Sequence, residues 1–266
     1  MEKPIASEQE SLTPERVREL GGRMKAILEL VGSPVGVRLL FDDSNVPAGA
    51  RPVTHHRYCQ AVMKARQGAH VTLDKEGLSC PAASAAFGFK PLPAQLRSGK
   101  GLVGFGIVAD PEVGKTIFDH MPHLEPGTLK LLDVFPLDKA EAVPDIIVVE
   151  DTIERLMWLT LAYLHATGGE RVSGTTAVLQ AVCADSTIIP YQEQRLNFGY
   201  GCYGCREATD IGPNETVLGF PVTFLPPIVE QLEFLNQKAI PVSRSKRALK
   251  ALQKADQQPE ETSGAE

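Results

Sequence analysis

The sequence is poor in aromatic residues: Phe, Tyr and Trp make up 6% of its 266 residues, with a single Trp. Stacking platforms for single-stranded nucleic acid draw on several such rings, so the composition disfavours that class. Positive charge is not in excess either. Lys and Arg number 27 against 33 Asp and Glu, a net charge of −6, which leaves no basic footprint for a phosphate backbone. Long apolar runs are missing as well. The best candidate, Leu156 to Leu164, falls well short of the roughly 20 residues needed to cross a bilayer and reads as a buried helix. The first twenty residues, MEKPIASEQESLTPERVREL, lack the apolar stretch of a secretory signal. These absences predict a cytoplasmic protein with neither a membrane nor a nucleic acid as partner.

Familiar nucleotide and hydrolase motifs are absent too. Val113-Gly114-Lys115-Thr116 ends like a phosphate-binding loop, but the motif requires glycine five positions before Gly114 and Ala109 stands there. Gly104-Phe105-Gly106 meets the same Ala109 where a dinucleotide fingerprint needs its third glycine. No GxSxG elbow and no HExxH occur. Cysteine is scarce, at five residues. An odd count excludes complete pairing within one chain, and in a reducing compartment such cysteines are thiols or metal ligands more often than disulfides.

With 43% hydrophobic and 23% charged residues, the chain has the composition of an ordinary globular protein. It reads as a loose arm at 1–11, a globular domain at 12–240 with lobes 12–150 and 151–240 as one subdivision, and a polar tail at 241–266 that frays from a helix. Thr13-Pro14-Glu15 signals a helix start, and Leu20, Met24, Ile27, Leu28 and Val31 follow at helical spacing. Val35–Phe41, His70–Leu73, Leu102–Val108, Leu131–Leu137, Asp145–Glu150, Thr187–Tyr191, Leu196–Tyr200 and Glu215–Pro221 read as strands. Tyr58–Ala65, 111–121, Asp151–Ala166, Ala177–Ala184 and Phe224–Leu235 read as helices. The class is α+β, or α/β, with mixed sheet and packed helices. Lys100–Phe105 and Thr216–Phe220 look alike, and a cysteine-bearing helix of small residues precedes each. That hints at two related lobes with the cysteines between them.

Chemistry concentrates at Gly201-Cys202-Tyr203-Gly204-Cys205-Arg206. Two cysteines at this spacing can turn both thiolates toward one metal ion or cluster, and glycines let a bulky group approach the main chain. Cys80 precedes Pro81 at a helix start, where free amides and the helix dipole favour a thiolate. Cys59 lies 21 residues earlier. Cys59, Cys80, Cys202 and Cys205 make the four thiolates of an iron–sulfur cubane or a structural zinc site, with Cys183 as a spare or an alternate ligand. One CxxC pair beside scattered single cysteines fits a [4Fe–4S] cluster better than zinc. A redox dithiol at Cys202 and Cys205, or plain buried thiols, also satisfies the spacing. His55 and His56 are candidate proton or substrate contacts or merely loop residues, and Arg206 is either a surface charge or a partner for an anionic cluster or a substrate carboxylate.

The chain resembles the family catalogued as domain of unknown function 169, which is common in anaerobic bacteria and archaea. The resemblance rests on Ser33-Pro34-Val35-Gly36-Val37, Tyr58-Cys59, Cys80-Pro81 with Gly88-Phe89, Cys183-Ala184-Asp185, the Gly201–Arg206 knuckle and Gly219-Phe220-Pro221. It covers roughly Pro34 to Leu235. It implies compatibility with an oxygen-sensitive cluster and assigns no reaction. The expectation is a cluster-binding protein in electron transfer or reductive small-molecule chemistry, with a redox protein or a small molecule as partner. The alternatives are a structural-zinc binding or regulatory module and a metal-free thiol enzyme.

Overall fold

The computed structural model describes residues 12–42 and 46–257, so the expected arm at 1–11 and the end of the tail lie outside the described residues. Helix α1 (Pro14–Leu28) begins as its sequence predicts. Thr13 Oγ1 accepts from the Arg16 amide at 3.3 Å, Pro14 fills the first position and Glu15 sits in the first turn. Strands β1 (Val35–Leu40) and β2 (Arg51–Pro52), helix α2 (Tyr58–Arg66), strand β3 (Val71–Asp74) and helix α3 (Pro81–Ala86) follow. Three short helices come next, α4 (Ala94–Arg97), α5 (Lys100–Gly104) and α6 (Pro111–Asp119), then strands β4 (Leu131–Pro136) and β5 (Ile146–Thr152) and helix α7 (Ile153–Ala166). A π-helix (Ala181–Ile188) runs into α8 (Ile189–Glu193). Strand β6 (Asn197–Gly199), helix α9 (Tyr203–Ala208), strand β7 (Glu215–Pro221) and helices α10 (Leu225–Gln237), α11 (Ala239–Arg244) and α12 (Arg247–Asp256) complete the described chain.

The strands form one seven-stranded sheet in the order β2-β3-β4-β1-β5-β7-β6. β2 and β3 pair parallel and the remaining neighbours antiparallel. This is an α+β fold with helices on both faces of a mixed sheet. The interior strand β5 shows why both faces are covered. Its residues Ile146 and Val148 enter one apolar core while Ile147 and Val149 enter the other, because successive side chains of a strand point to opposite sides. Helices α1, α7 and α10 bury their apolar stripes on the second face. The first face carries α2, α3 and the π-helix, and with them every cysteine: Cys59, Cys183 and Cys205 lie inside that core, and Cys80 and Cys202 pack against it.

Two expected strands are helices. Lys100–Gly104 coils into α5 after Gly99 turns the chain at φ 72°, and Leu102 is buried while Val103 and Phe105 are 37% and 64% exposed. A central strand would have buried them. Thr187–Tyr191 continues the π-helix into α8. Thr187 Oγ1 donates back to the Val182 carbonyl at 2.8 Å, and Pro190 falls in the first turn of α8, where its missing N–H costs nothing. The two stretches that hinted at a duplication therefore fold differently, one as helix and one as strand. The tail from Ala239 to Asp256 holds two helices, and α12 buries no side chain.

Candidate metal centre

Four separate stretches of chain deliver the five cysteines. Cys59 stands in the first turn of α2, Cys80 is the residue preceding α3, Cys183 is in the π-helix, and Cys202 caps α9, which carries Cys205 in its first turn. All five are free thiols. The sulfurs of Cys202 and Cys205 are 2.8 Å apart, and the Cys205 amide donates to Cys202 Sγ at 3.2 Å. Cys59 lies within interaction range of Cys205. Cys183 lies within electrostatic range of Cys80, Cys202 and Cys205, and Cys80 within range of Cys202. The expected ligand set and its spare thus occupy one place on one face of the sheet.

Local structure explains the convergence. Gly201 adopts φ 76°, the left-handed region that glycine enters without penalty, and turns the chain out of β6 so that Cys202 can begin α9. Arg206 locks that turn, its guanidinium donating to the main-chain carbonyls of Tyr200, Gly212 and Glu215. The π-helix lies directly on β7: a Cβ built on Gly219 would come 1.8 Å from the Ser186 carbonyl oxygen. The wide turn of a π-helix is rare and tends to mark functional sites. Here it places Cys183, Asp185, Ser186 and Thr187 in the interior together.

A seam of side chains fastens α2 to α9. Arg57 Nη1 donates to the Gly204 carbonyl at 2.8 Å and to Glu207 Oε2 at 2.6 Å, and Gln60 Nε2 donates to the Ala208 carbonyl at 3.1 Å. Burial opposes the Arg57 charge, yet Glu207, Cys59 and Cys80 together favour it more. Sequence reasoning did not single out Arg57, although it adjoins Tyr58-Cys59 and is the basic residue nearest that cysteine in the chain. Tyr58 is fully buried, and its hydroxyl pairs with Thr187 Oγ1 at 2.9 Å, so the cysteine ends of α2 and the π-helix are tied by one hydrogen bond. His55 is exposed at φ 57°, and the His56 Nδ1 sits 2.6 Å from the Thr54 carbonyl. The His56 main chain brackets the approach to Cys80, accepting from the Ser79 amide and donating to the Gly77 carbonyl.

Electrostatics sets what these thiols do. Burial pushes Cys80 and Cys183 up, and neighbouring cysteines push them further. Cys202 and Cys205 titrate as a pair. The bond between them raises Cys202 and lowers Cys205, but contact with Cys59 and burial lift Cys205 as well, so the pair is held high. Main-chain amides work in the other direction: those of Ala82 and Ala83 act on Cys80 without completing a full cap hydrogen bond, those of Ala181 and Cys205 on Cys202, and that of Ala184 on Cys183. Converging thiolates repel unless a cation offsets their charge. The chemistry of this donor set therefore fits a thiophilic metal or an iron–sulfur cluster, whose sulfurs accept such amide hydrogen bonds.

The thiols are not yet spread for ligation. Two thiolates on one tetrahedral zinc, each about 2.3 Å from the metal, stand about 3.8 Å apart. Among the described residues, no three of His, Cys, Asp and Glu stand in a metal-binding arrangement. Binding requires the Cys202 and Cys205 side chains to rotate apart.

No helix among the described residues is long and apolar enough to cross a membrane. No curated protein and no solved structure matches the chain. A model of the family DUF169, described as uncharacterised ArCR, matches residues 23–231.

Proposed function

The chain belongs to the DUF169 family, and from its five converging thiols we propose that it binds a [4Fe–4S]-type cluster and serves electron transfer or reductive chemistry on a small molecule. Cys59, Cys80, Cys202 and Cys205 are the ligands of this reading, with Cys183 as the alternate. The observation that carries it is the gathering of thiols from four distant stretches on one sheet face, with main-chain amides acting on four of their sulfurs. A bound cluster would supply a reversible one-electron store. The protein's own residues would hold it, keep water from its inner side and leave one edge accessible. Cys80 and Cys202 are the half-buried thiols while Cys59, Cys183 and Cys205 are buried, so a redox partner or small molecule would approach past Cys80 and Cys202. In this reading Arg57 offsets negative charge at the centre, and Arg206 holds the knuckle rather than a substrate. The setting is cytoplasmic.

The test is anaerobic purification with iron, acid-labile sulfide and zinc analysis, followed by single Cys→Ser variants. Matched iron and sulfide that fall in the variants at positions 59, 80, 202 and 205 support the reading. Unchanged iron in all four overturns it. A colourless, zinc-loaded protein that unfolds on chelation would indicate a structural-zinc module instead. The 2.8 Å contact between Cys202 and Cys205 at a helix start favours one second reading, a dithiol–disulfide pair. Its signature is a metal-free protein in which these two cysteines cross-link on mild oxidation.

A further inference from the structure

Glu150 is the most anomalous side chain on the cysteine face. It lies on the interior strand β5, two residues beyond Val148 and opposite Val217, and both of those residues belong to the core that holds the thiols. The residue is 6% exposed, and neither carboxyl oxygen has a hydrogen-bond partner. A buried carboxyl left this way costs stability, more so when ionised. A leucine or glutamine of similar size would avoid the charged state altogether.

Its surroundings keep the cost high. The charged and titratable groups acting on it are Arg66 and Tyr58 of α2, Asp210 in the segment after α9, and Glu215 of β7. Arg66 is the sole cation among them and is already engaged, donating to Glu215 Oε1 at 2.5 Å and approaching Asp210 Oδ1 at 3.7 Å. An ionised Glu150 would be a third carboxylate around one guanidinium. Burial, the largest influence, together with Asp210 and Glu215 outweighs Arg66 and pushes Glu150 up to about 7. The connection to the thiols runs through one side chain, since Tyr58 lies within electrostatic range of Glu150 on one side and of Cys183 and Cys59 on the other.

We propose that Glu150 is the proton store of the cysteine centre: when the centre gains one electron, the Glu150 carboxylate takes up one proton from solvent. The inference rests on the proposed cluster. A one-electron donor protein supplies the electron, the carboxylate becomes a neutral acid, and the net charge of the domain interior is unchanged. On reoxidation the electron leaves to an acceptor and the proton returns to solvent. An interior charge that is the same before and after the step avoids burying one further uncompensated charge.

Two measurements on the full chain test this. In cluster-loaded protein, the reduction potential of the native chain is expected to fall with rising pH around neutrality, approaching a tenfold change in the redox ratio per pH unit, or about 59 mV for one electron. Glu150→Gln is expected to hold the same iron and sulfide with a potential that depends clearly less on pH, Asp185 being the other carboxyl pushed up to about 7 on this face. In metal-free protein, denaturant unfolding reads Glu150 directly. A folded-state value raised from 4.5 to about 7 means the folded state binds the proton more tightly, so stability falls as pH rises through that window and is level above it. Glu150→Gln removes the Glu150 share of this fall and leaves that of Asp185, which burial likewise pushes up to about 7, and Glu150→Leu serves if the Gln variant does not fold. A loaded protein whose potential ignores pH, or a Gln variant whose slope is as steep as that of the native chain, overturns the inference and leaves the cluster standing. A chain that holds no cluster overturns the proposed function and this inference together.

Discussion

If the thiol centre takes up metal as proposed, loading must expel protons, and their number counts the ligands. The ordinary thiol value is 9.0, and Cys80, Cys202 and Cys205 all lie above it. At pH 7 fewer than about one in a hundred such thiols is ionised. Only thiolates bind zinc or iron, so each of these three cysteines gives up close to one whole proton on ligation. Zinc binding to the metal-free chain at pH 7 is therefore expected to release at least three protons per ion. The apparent affinity should change by roughly a factor of ten per ligand for each pH unit, about a thousandfold for three. Calorimetric titration under anaerobic conditions in two buffers of different ionisation enthalpy gives the count from the difference in heat, and a competing chelator across pH 6.5–7.5 gives the slope. Two protons would confine ligation to a pair such as Cys202 and Cys205. One or none would refute the argument that these buried thiols act as a set.

Gly219→Ala would put a methyl group against the Ser186 carbonyl and lift the π-helix from β7. Overpacking of this kind costs about 1–3 kcal/mol, visible as a lower denaturant midpoint and weaker metal retention; an unchanged midpoint would show that the two backbones are not in contact. Arg57→Ala removes the bridge from α2 to Gly204 and Glu207. Loss of such supporting contacts around a metal site typically costs 10–100-fold in metal affinity, so chelators should strip the variant faster, with Arg57→Lys recovering part of the loss. Equal stripping of all three proteins would mean that the seam does not hold the centre.

Much of the frame is legible in the sequence because local signals and tertiary demands agree there. Thr13-Pro14-Glu15 caps a helix that also has an apolar stripe to bury. Ile146–Thr152 is apolar enough on both faces to be interior. Cys80-Pro81 is a start signal for a short helix, and it holds in the structure, whereas the helix that Cys202 opens reads in the sequence only as a knuckle after a strand. The failures occur where apolar character is local and burial is not. Leu102–Val108 looks like a buried strand, yet Phe105 faces solvent. Thr187–Ile189 carries strand-forming residues, but the Thr187 hydroxyl closes a π-turn that no propensity encodes. Convergence of the cysteines was an inference from their number and type. Arg57 and Glu150 were invisible for a different reason: their significance lies in what surrounds them after folding, and an isolated charge in a sequence does not announce its neighbours.

The spacing of the cysteines along the chain also fixes when the centre can be built. Cys59 and Cys80 belong to elements early in the chain, whereas Cys202 and Cys205 wait on α9, and α9 is held in place by the pairing of β6 with β7 and by the Arg206 clamp on Glu215. During synthesis the first two thiols emerge with no partners and stay so until most of the domain has been made. If the centre binds metal or cluster as proposed, delivery must therefore act on a chain folded at least through β7, and a truncated product ending before Cys202 would lack the Cys202–Cys205 pair.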